Sequence, residues 1–255
     1  MLTIFLQLIR RLNFTALWFS ILLGLFGCDL PSAPPDMFYK FDVIRVGKGP
    51  SYLLTHDLNL DGEPDLITVN SKNNSLSVLE GKGDGTFHTP RHIKVAEEPT
   101  MVAAGDVNRD NIPDLIVNSR GEEMFVVLPG NGDGSFRKPI PIKTGKVPLN
   151  VILADFNNDE KLDAAVTLTF DQMEIYMGTG DGYFNKGETY PSGSRSFSGV
   201  AEDFNSDDKI DIALATSSSN SSSIRVFLGN GDGTFQKPMA YAKKLVPLAV
   251  ILEDM

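Results

Sequence analysis

The chain has 255 residues, a hydrophobic fraction of 42% and a formal net charge of −10. That length accommodates one all-β domain or two smaller domains. Nucleic-acid binding needs Lys and Arg to displace counterions from phosphates, so a balance this acidic sets nucleic acid aside as a partner and favours cations as ligands.

The N-terminal segment "MLTIFLQLIRRLNFTALWFSILLGLFGC" places Arg10 and Arg11 ahead of an apolar run from Phe14 to Gly27. This is the layout of a secretory signal, with a basic n-region and an apolar h-region. Its end, Leu25-Phe26-Gly27-Cys28, resembles the bacterial lipobox, in which cleavage precedes a cysteine that then carries lipid. Cys28 is also the sole cysteine of the chain, so no disulfide can staple the domain. Residues 1–27 are therefore expected to be a lipoprotein signal. Residues 28–40, which begin "CDLPSAPPD", should form a lipidated, proline-rich tether. The expected location is a bacterial cell membrane, with the protein lipid-anchored through Cys28 on the periplasmic or extracellular side.

From residue 41 onward the sequence repeats. "DLNLDGEPDL" at Asp57 returns as "DVNRDNIPDL" at Asp106, "DFNNDEKLDA" at Asp155 and "DFNSDDKIDI" at Asp203, at intervals of 49, 49 and 48 residues. A glycine motif keeps the same phase: "GKGDGTF" at Gly81, "GNGDGSF" at Gly130, "GTGDGYF" at Gly178 and "GNGDGTF" at Gly229. In the second repeat "MVAAG", "LIVNS", "MFVVLPG" and "PIPIK" are short β-prone runs between turn residues. Four strands per repeat of about 49 residues predict an all-β chain built as a β-propeller over residues 41–255. A β-solenoid, with its shorter repeats, is the weaker alternative. "FDVIRV" from Phe41 reads as the last strand of another blade. "VPLAVILEDM" at the C-terminus copies "VPLNVILADF" at Val147 and stops where a fifth acidic loop would start, at Asp254. The expectation is an incomplete propeller of four motif pairs with two half-blade ends.

The shared spacing Asp-x-Asn-x-Asp-x-x-x-Asp puts side-chain oxygens at positions 1, 3, 5 and 9 of a loop. These are the early positions of an EF-hand loop, in which position 7 offers its backbone carbonyl to calcium. A divalent cation offsets the repulsion among clustered carboxylates, and the absence of His and Cys from the motif argues against zinc. The loops are not EF-hands, because position 12 is Thr68, Val117, Val166 or Leu214 where a bidentate Glu is needed. Position 6, the sharp turn, is Gly62, Asn111, Glu160 or Asp208. Glu pays most to enter the left-handed region, so the first loop is expected to bind most tightly and the third most weakly. In the glycine motif, Gly-Asp-Gly suits a tight hairpin turn, and Phe87, Phe136, Phe184 and Phe235 are expected to be packing spacers. His56, His88 and His92 recur in no other repeat and are read as ordinary surface or strand residues.

At these two motifs the sequence resembles the FG-GAP (VCBS-type) repeat family over nearly all of residues 41–255. The resemblance implies a propeller of the kind found in integrin α-subunit heads, with calcium in a hairpin loop of each blade. Carried onto this sequence, it implies ligands Asp57, Asn59, Asp61, the Glu63 carbonyl and Asp65 in the first blade. The second set is Asp106, Asn108, Asp110, the Ile112 carbonyl and Asp114. The third is Asp155, Asn157, Asp159, the Lys161 carbonyl and Asp163, and the fourth Asp203, Asn205, Asp207, the Lys209 carbonyl and Asp211. The functional expectation is a calcium-binding, lipid-anchored binding, adhesion or scaffold module for a protein or glycan ligand, and not an enzyme. The alternatives are a remnant of a larger repeat protein without its own function and, with less support, a hydrolase or lyase using the propeller face.

Overall fold

In the computed structural model, residues 43–193, 195–217, 223–241 and 249 are described. The chain parts into two compact units, Met1–Ile44 and Arg45–Met255, and of the first only Val43 and Ile44 are described. The signal and tether expected over residues 1–40, with Cys28, lie outside the described residues. So does nearly all of "VPLAVILEDM". No helix among the described residues is long and apolar enough to cross a membrane.

Four antiparallel sheets of four strands follow one another along the chain. The first holds β1 (Pro50–His56), β2 (Asp65–Asn70), β3 (Ser75–Leu79) and β4 (Arg91–Lys94). The second holds β5 (Pro99–Gly105), β6 (Asp114–Ser119), β7 (Met124–Leu128) and β8 (Ile140–Lys143). The third holds β9 (Pro148–Ala154), β10 (Asp163–Leu168), β11 (Gln172–Gly178) and β12 (Phe184–Pro191). The fourth holds β13 (Arg195–Glu202), β14 (Asp211–Ser217), β15 (Ser223–Phe227) and β16 (Met239–Tyr241). Each sheet is a meander in which every strand pairs with the next. This is the four-stranded blade of a β-propeller, as the repeat predicts. The strands of the second blade fall on the four β-prone runs of its repeat, and the acidic loop always joins first strand to second.

Burial explains why the patterning of the strands differs. All six residues of β6 and of β10 are buried. A strand covered on both faces reads as a continuous apolar run rather than an alternation, which is how "LIVNS" and "AAVTL" read. The outermost strands β4 and β8 are exposed or half-buried. The first strands of the blades stand side by side, β1 against β5, β5 against β9 and β9 against β13.

The core lies between blades rather than within them. Ile67, Val69 and Leu76 of the first blade meet Val102, Leu115 and Val117 of the second. Ile116, Phe125 and Val127 of the second meet Val151, Ala164 and Val166 of the third, and Ile152, Ala165 and Ile175 meet Ile212, Leu214 and Phe227 of the fourth. The phenylalanine that closes the second, third and fourth glycine motifs is inserted at these joints. Phe184 stands edge-on to Phe125 at 5.5 Å between ring centroids, and Phe235 edge-on to Phe156 at 5.3 Å. Phe136 packs, half-buried, on the first joint. Phe87 is also half-buried, and no described blade precedes it.

One expected element is absent. Val43–Val46, the described part of "FDVIRV", belongs to no strand. The chain beyond it docks on the β2–β3 turn, where Ser71 and Lys72 donate to the carbonyls of Gly49 and Lys48 at 3.0 and 3.2 Å. The Gly47 amide donates to Ser77 Oγ at 3.2 Å. Docked on a turn in this way, the segment is fixed by single bonds and builds no strand ladder.

Candidate metal loops

The four acidic loops share one network of hydrogen bonds. In the first, the two oxygens of Asp57 accept the amides of Asp61 at 3.2 Å and Gly62 at 2.9 Å. Asn59 Oδ1 also accepts the Asp61 amide, and Asp61 Oδ1 accepts the Glu63 amide at 2.8 Å. The same bonds recur in the second loop, the third and the fourth. Two residues of each loop have left-handed backbones. Position 6 does so as the sequence predicts, at Gly62, Asn111, Glu160 and Asp208, with φ of 87°, 62°, 63° and 62°. Position 4 does so as well, at Leu60, Arg109, Asn158 and Ser206, with φ between 57° and 61°. For Leu and Arg that conformation costs about 1–2 kcal/mol, and neither residue type signals it in the sequence. With two left-handed residues in three, the chain winds tightly enough for positions 1, 3 and 5 to reach back onto the loop's own amides.

Position 9 behaves differently. Asp65, Asp114, Asp163 and Asp211 are all 0% exposed. One oxygen of each accepts an amide at the loop's start, from Leu58, Val107, Phe156 and Phe204, at 2.9–3.2 Å. The other accepts the first amide of the glycine motif, from Gly81, Gly130, Gly178 and Gly229, at 2.7–2.9 Å. This carboxylate therefore ties the acidic loop to the glycine hairpin. The first glycine of the motif is needed for the same closeness: a Cβ there would fall on the carbonyl oxygen of Pro64, Pro113, Leu162 or Ile210. The two later glycines have φ between 70° and 86° in every copy, as the turn reading requires. Asp84, Asp133, Asp181 and Asp232 each accept the amide two residues on, so they cap their own turns.

Burial pushes Asp163 up to about 6, helped by the Asp159 and Asp155 charges and opposed by the Gly178 and Phe156 amides. Asp114 is raised for the same reasons. A nearby cation would relieve both effects. The outer oxygen of position 5 already holds a polar partner in every loop. Asn59 Nδ2 donates to Asp61 at 2.8 Å, whereas Arg137 meets Asp110 at 2.8 Å, Lys161 meets Asp159 at 2.9 Å and Lys209 meets Asp207 at 3.4 Å. Only the first loop presents this oxygen without a basic side chain on it. The Arg109 guanidinium of the second loop reaches Glu160 of the third at 3.4 Å.

Among the described residues no three His, Cys, Asp or Glu side chains stand together as a set that could hold a metal ion. The donor chemistry nevertheless fits a hard cation. Every loop offers only oxygens, and a carboxylate oxygen that accepts one amide keeps further lone-pair capacity. Residues of the second loop open onto a cleft of about 410 Å³ bounded by Asn108, Asp110, Pro129, Arg137, Ile140 and Asp181.

His56 ends β1, and His92 lies in β4 with its Nδ1 3.0 Å from Ser77 Oγ. Ser77 is fully buried and also takes an Asn70 Nδ2 hydrogen bond at 2.8 Å, which leaves it no approach for a substrate.

No curated protein matches this chain. Solved structures share its fold at low sequence identity. BBS1N bound to ARL6DN is 13% identical with a TM-score of 0.52, over 78% of this chain and 58% of that one. A lectin of Agrocybe aegerita that recognises non-reducing terminal N-acetylglucosamine is 17% identical with a TM-score of 0.51, over 78% and 53%. A Bacteroides uniformis protein named for 6-phosphogluconolactonase is 14% identical with a TM-score of 0.55, over 79% and 60%. The chain thus spans little more than half the length of each. Residues 57–117, which hold the first two acidic loops and the glycine motif between them, match the family described as FG-GAP-like repeat.

Proposed function

We propose that this chain is a calcium-stabilised, lipid-anchored binding or scaffold module on the outer side of a bacterial cell membrane. The observation that carries the calcium part is the loop itself: oxygens at positions 1, 3, 5 and 9, held by the same backbone bonds four times over. Residues 57–65, 106–114, 155–163 and 203–211 would hold the ion, which supplies charge that the clustered carboxylates lack. The first loop is the tightest, since calcium there displaces an amide rather than a basic side chain. The third is the weakest, since Lys161 sits on Asp159 and Glu160 holds a left-handed turn. At ~1 mM calcium, a site with Kd of about 10–100 μM adds about 1.4–2.7 kcal/mol by mass action. Thermal melts of the full chain in calcium and in chelator are expected to differ by several degrees, and an unchanged midpoint would remove the calcium reading.

The anchor rests on Cys28 and the apolar run before it. One lipid chain binds a membrane marginally and several bind it stably. Mass spectrometry of the chain recovered from membranes is expected to show an N-terminal, lipid-modified Cys28, and Cys28→Ser to leave an uncleaved precursor. An unmodified cysteine in the wild type would refute the anchor. A non-enzymatic role is supported by the likeness of residues 57–117 to FG-GAP-like repeats.

A further inference from the structure

The two ends of the blades differ in one respect. At the acidic-loop end the same residue types recur in every blade, because the blade itself needs them. At the other end, where the first strands begin, equivalent positions carry unrelated side chains: Ser51, Thr100, Leu149 and Phe197, at the same 49, 49 and 48 residue intervals. These four positions, with Tyr52 and Met101 beside them and Arg120 from the β6–β7 turn, surround a cleft of about 290 Å³. The fold does not dictate such residues, so their choice is free to serve a ligand.

The chemistry of the wall is specific. Phe197 is 57% exposed on a concave surface, where a large ring left in water is informative. Tyr52 adds a second aromatic ring, and Met101 and Leu149 supply an apolar floor. Thr100 Oγ1 beneath them is buried without a hydrogen-bond partner among the described residues. Arg120 is exposed and its guanidinium makes no ion pair among the described residues. Aromatic faces for C–H groups and a forked donor for ligand oxygens are what a pyranose ring requires. The volume lies at the lower end for small-ligand pockets and suits a terminal sugar rather than the middle of a polymer. Glu97, Glu98, Glu122 and Glu123 flank Arg120 in sequence or across the turn, and the chain carries −10 overall, so an anionic ligand is disfavoured.

We propose that this cleft binds the terminal residue of a neutral glycan, stacked on Phe197 and hydrogen-bonded by Arg120. The proposal rests on the binding-module reading and names its ligand class. It is independent of calcium chemistry, since the cleft lies at the opposite end of the blades from the acidic loops.

Saturation-transfer NMR and calorimetry on the full chain, with methyl glucoside, methyl galactoside, N-acetylglucosamine and, as an anionic control, phenylacetate, test it. Each is run in calcium and in chelator below the melting transition, so that unfolding and loss of sugar binding read separately. The expected result is transfer from at least one neutral sugar, weakened tenfold or more by Phe197→Ala and by Arg120→Leu, with far-ultraviolet circular dichroism unchanged. No transfer from any neutral sugar at millimolar concentration, transfer that survives Phe197→Ala, or a response to phenylacetate alone would overturn it. The calcium-dependent melts stand or fall apart from all three.

Discussion

Asp114→Ala is expected to destabilise the chain by about 2–6 kcal/mol in urea unfolding, even with calcium chelated. Its carboxylate is fully buried and accepts the Val107 amide at 3.1 Å and the Gly130 amide at 2.8 Å. Removing it strands two buried donors, each at about 1–3 kcal/mol. Asp110→Ala in the same loop should cost under ~1 kcal/mol in chelator. Asp110 is half-buried, its pair with Arg137 is a solvated one of small worth, and the Ile112 amide it releases is only part-buried and can turn to water. In calcium both costs rise by the lost binding free energy, about 1.4–2.7 kcal/mol at ~1 mM calcium and a Kd of about 10–100 μM, because each variant lacks a side chain offered to the ion. Equal costs in chelator would show that position 9 is not the fastening between loop and hairpin.

Phe156→Ala is expected to cost about 3–5 kcal/mol, the usual price of emptying a buried aromatic site. Phe156 is 2% exposed and stands against Phe235 across the joint between the third and fourth blades. Phe204 occupies the same repeat position in the fourth blade but is 40% exposed, so Phe204→Ala should cost less than ~1 kcal/mol. The contrast is a direct measure of what a neighbouring blade contributes. Thermal or urea unfolding of the two variants side by side reads it, and equal losses would mean that the joint is held elsewhere.

The blade was legible because its signals are local. Turn residues at fixed spacing and short β-prone runs placed four strands in each repeat, and the glycine hairpin and its phenylalanine were readable from the same seven residues. What escaped was set by contacts across the chain. Position 9 looks like any other acid of the motif, and only the fold shows it buried and tied to a glycine 15–18 residues later. The first glycine of the hairpin motif had no signal of its own, yet a carbonyl from the acidic loop decides it. Left-handed Leu60 and Arg109 had no signal at all, since their side chains oppose the conformation that the loop imposes. "FDVIRV" carried the alternation of a strand, but its described part, residues 43–46, belongs to none. Arg137 on Asp110, which bears on the candidate site, sits 27 residues away in sequence and belongs to neither motif.

The joints between later blades reuse the same parts. The third glycine of the hairpin donates to the carbonyl that follows the first Asp of the preceding blade, Gly182 to Val107 at 3.2 Å and Gly233 to Phe156 at 3.0 Å, with the motif's phenylalanine beside it. Gly85, by contrast, faces open space. The third and fourth blades thus carry the same plug, and the second and third blades the same socket. A chain emerging from the ribosome must therefore bring each plug to the correct one of two like sockets, and at high concentration a plug can enter the socket of another molecule. The uniformity that lets one unit follow another without new packing rules is also a route to swapped assemblies.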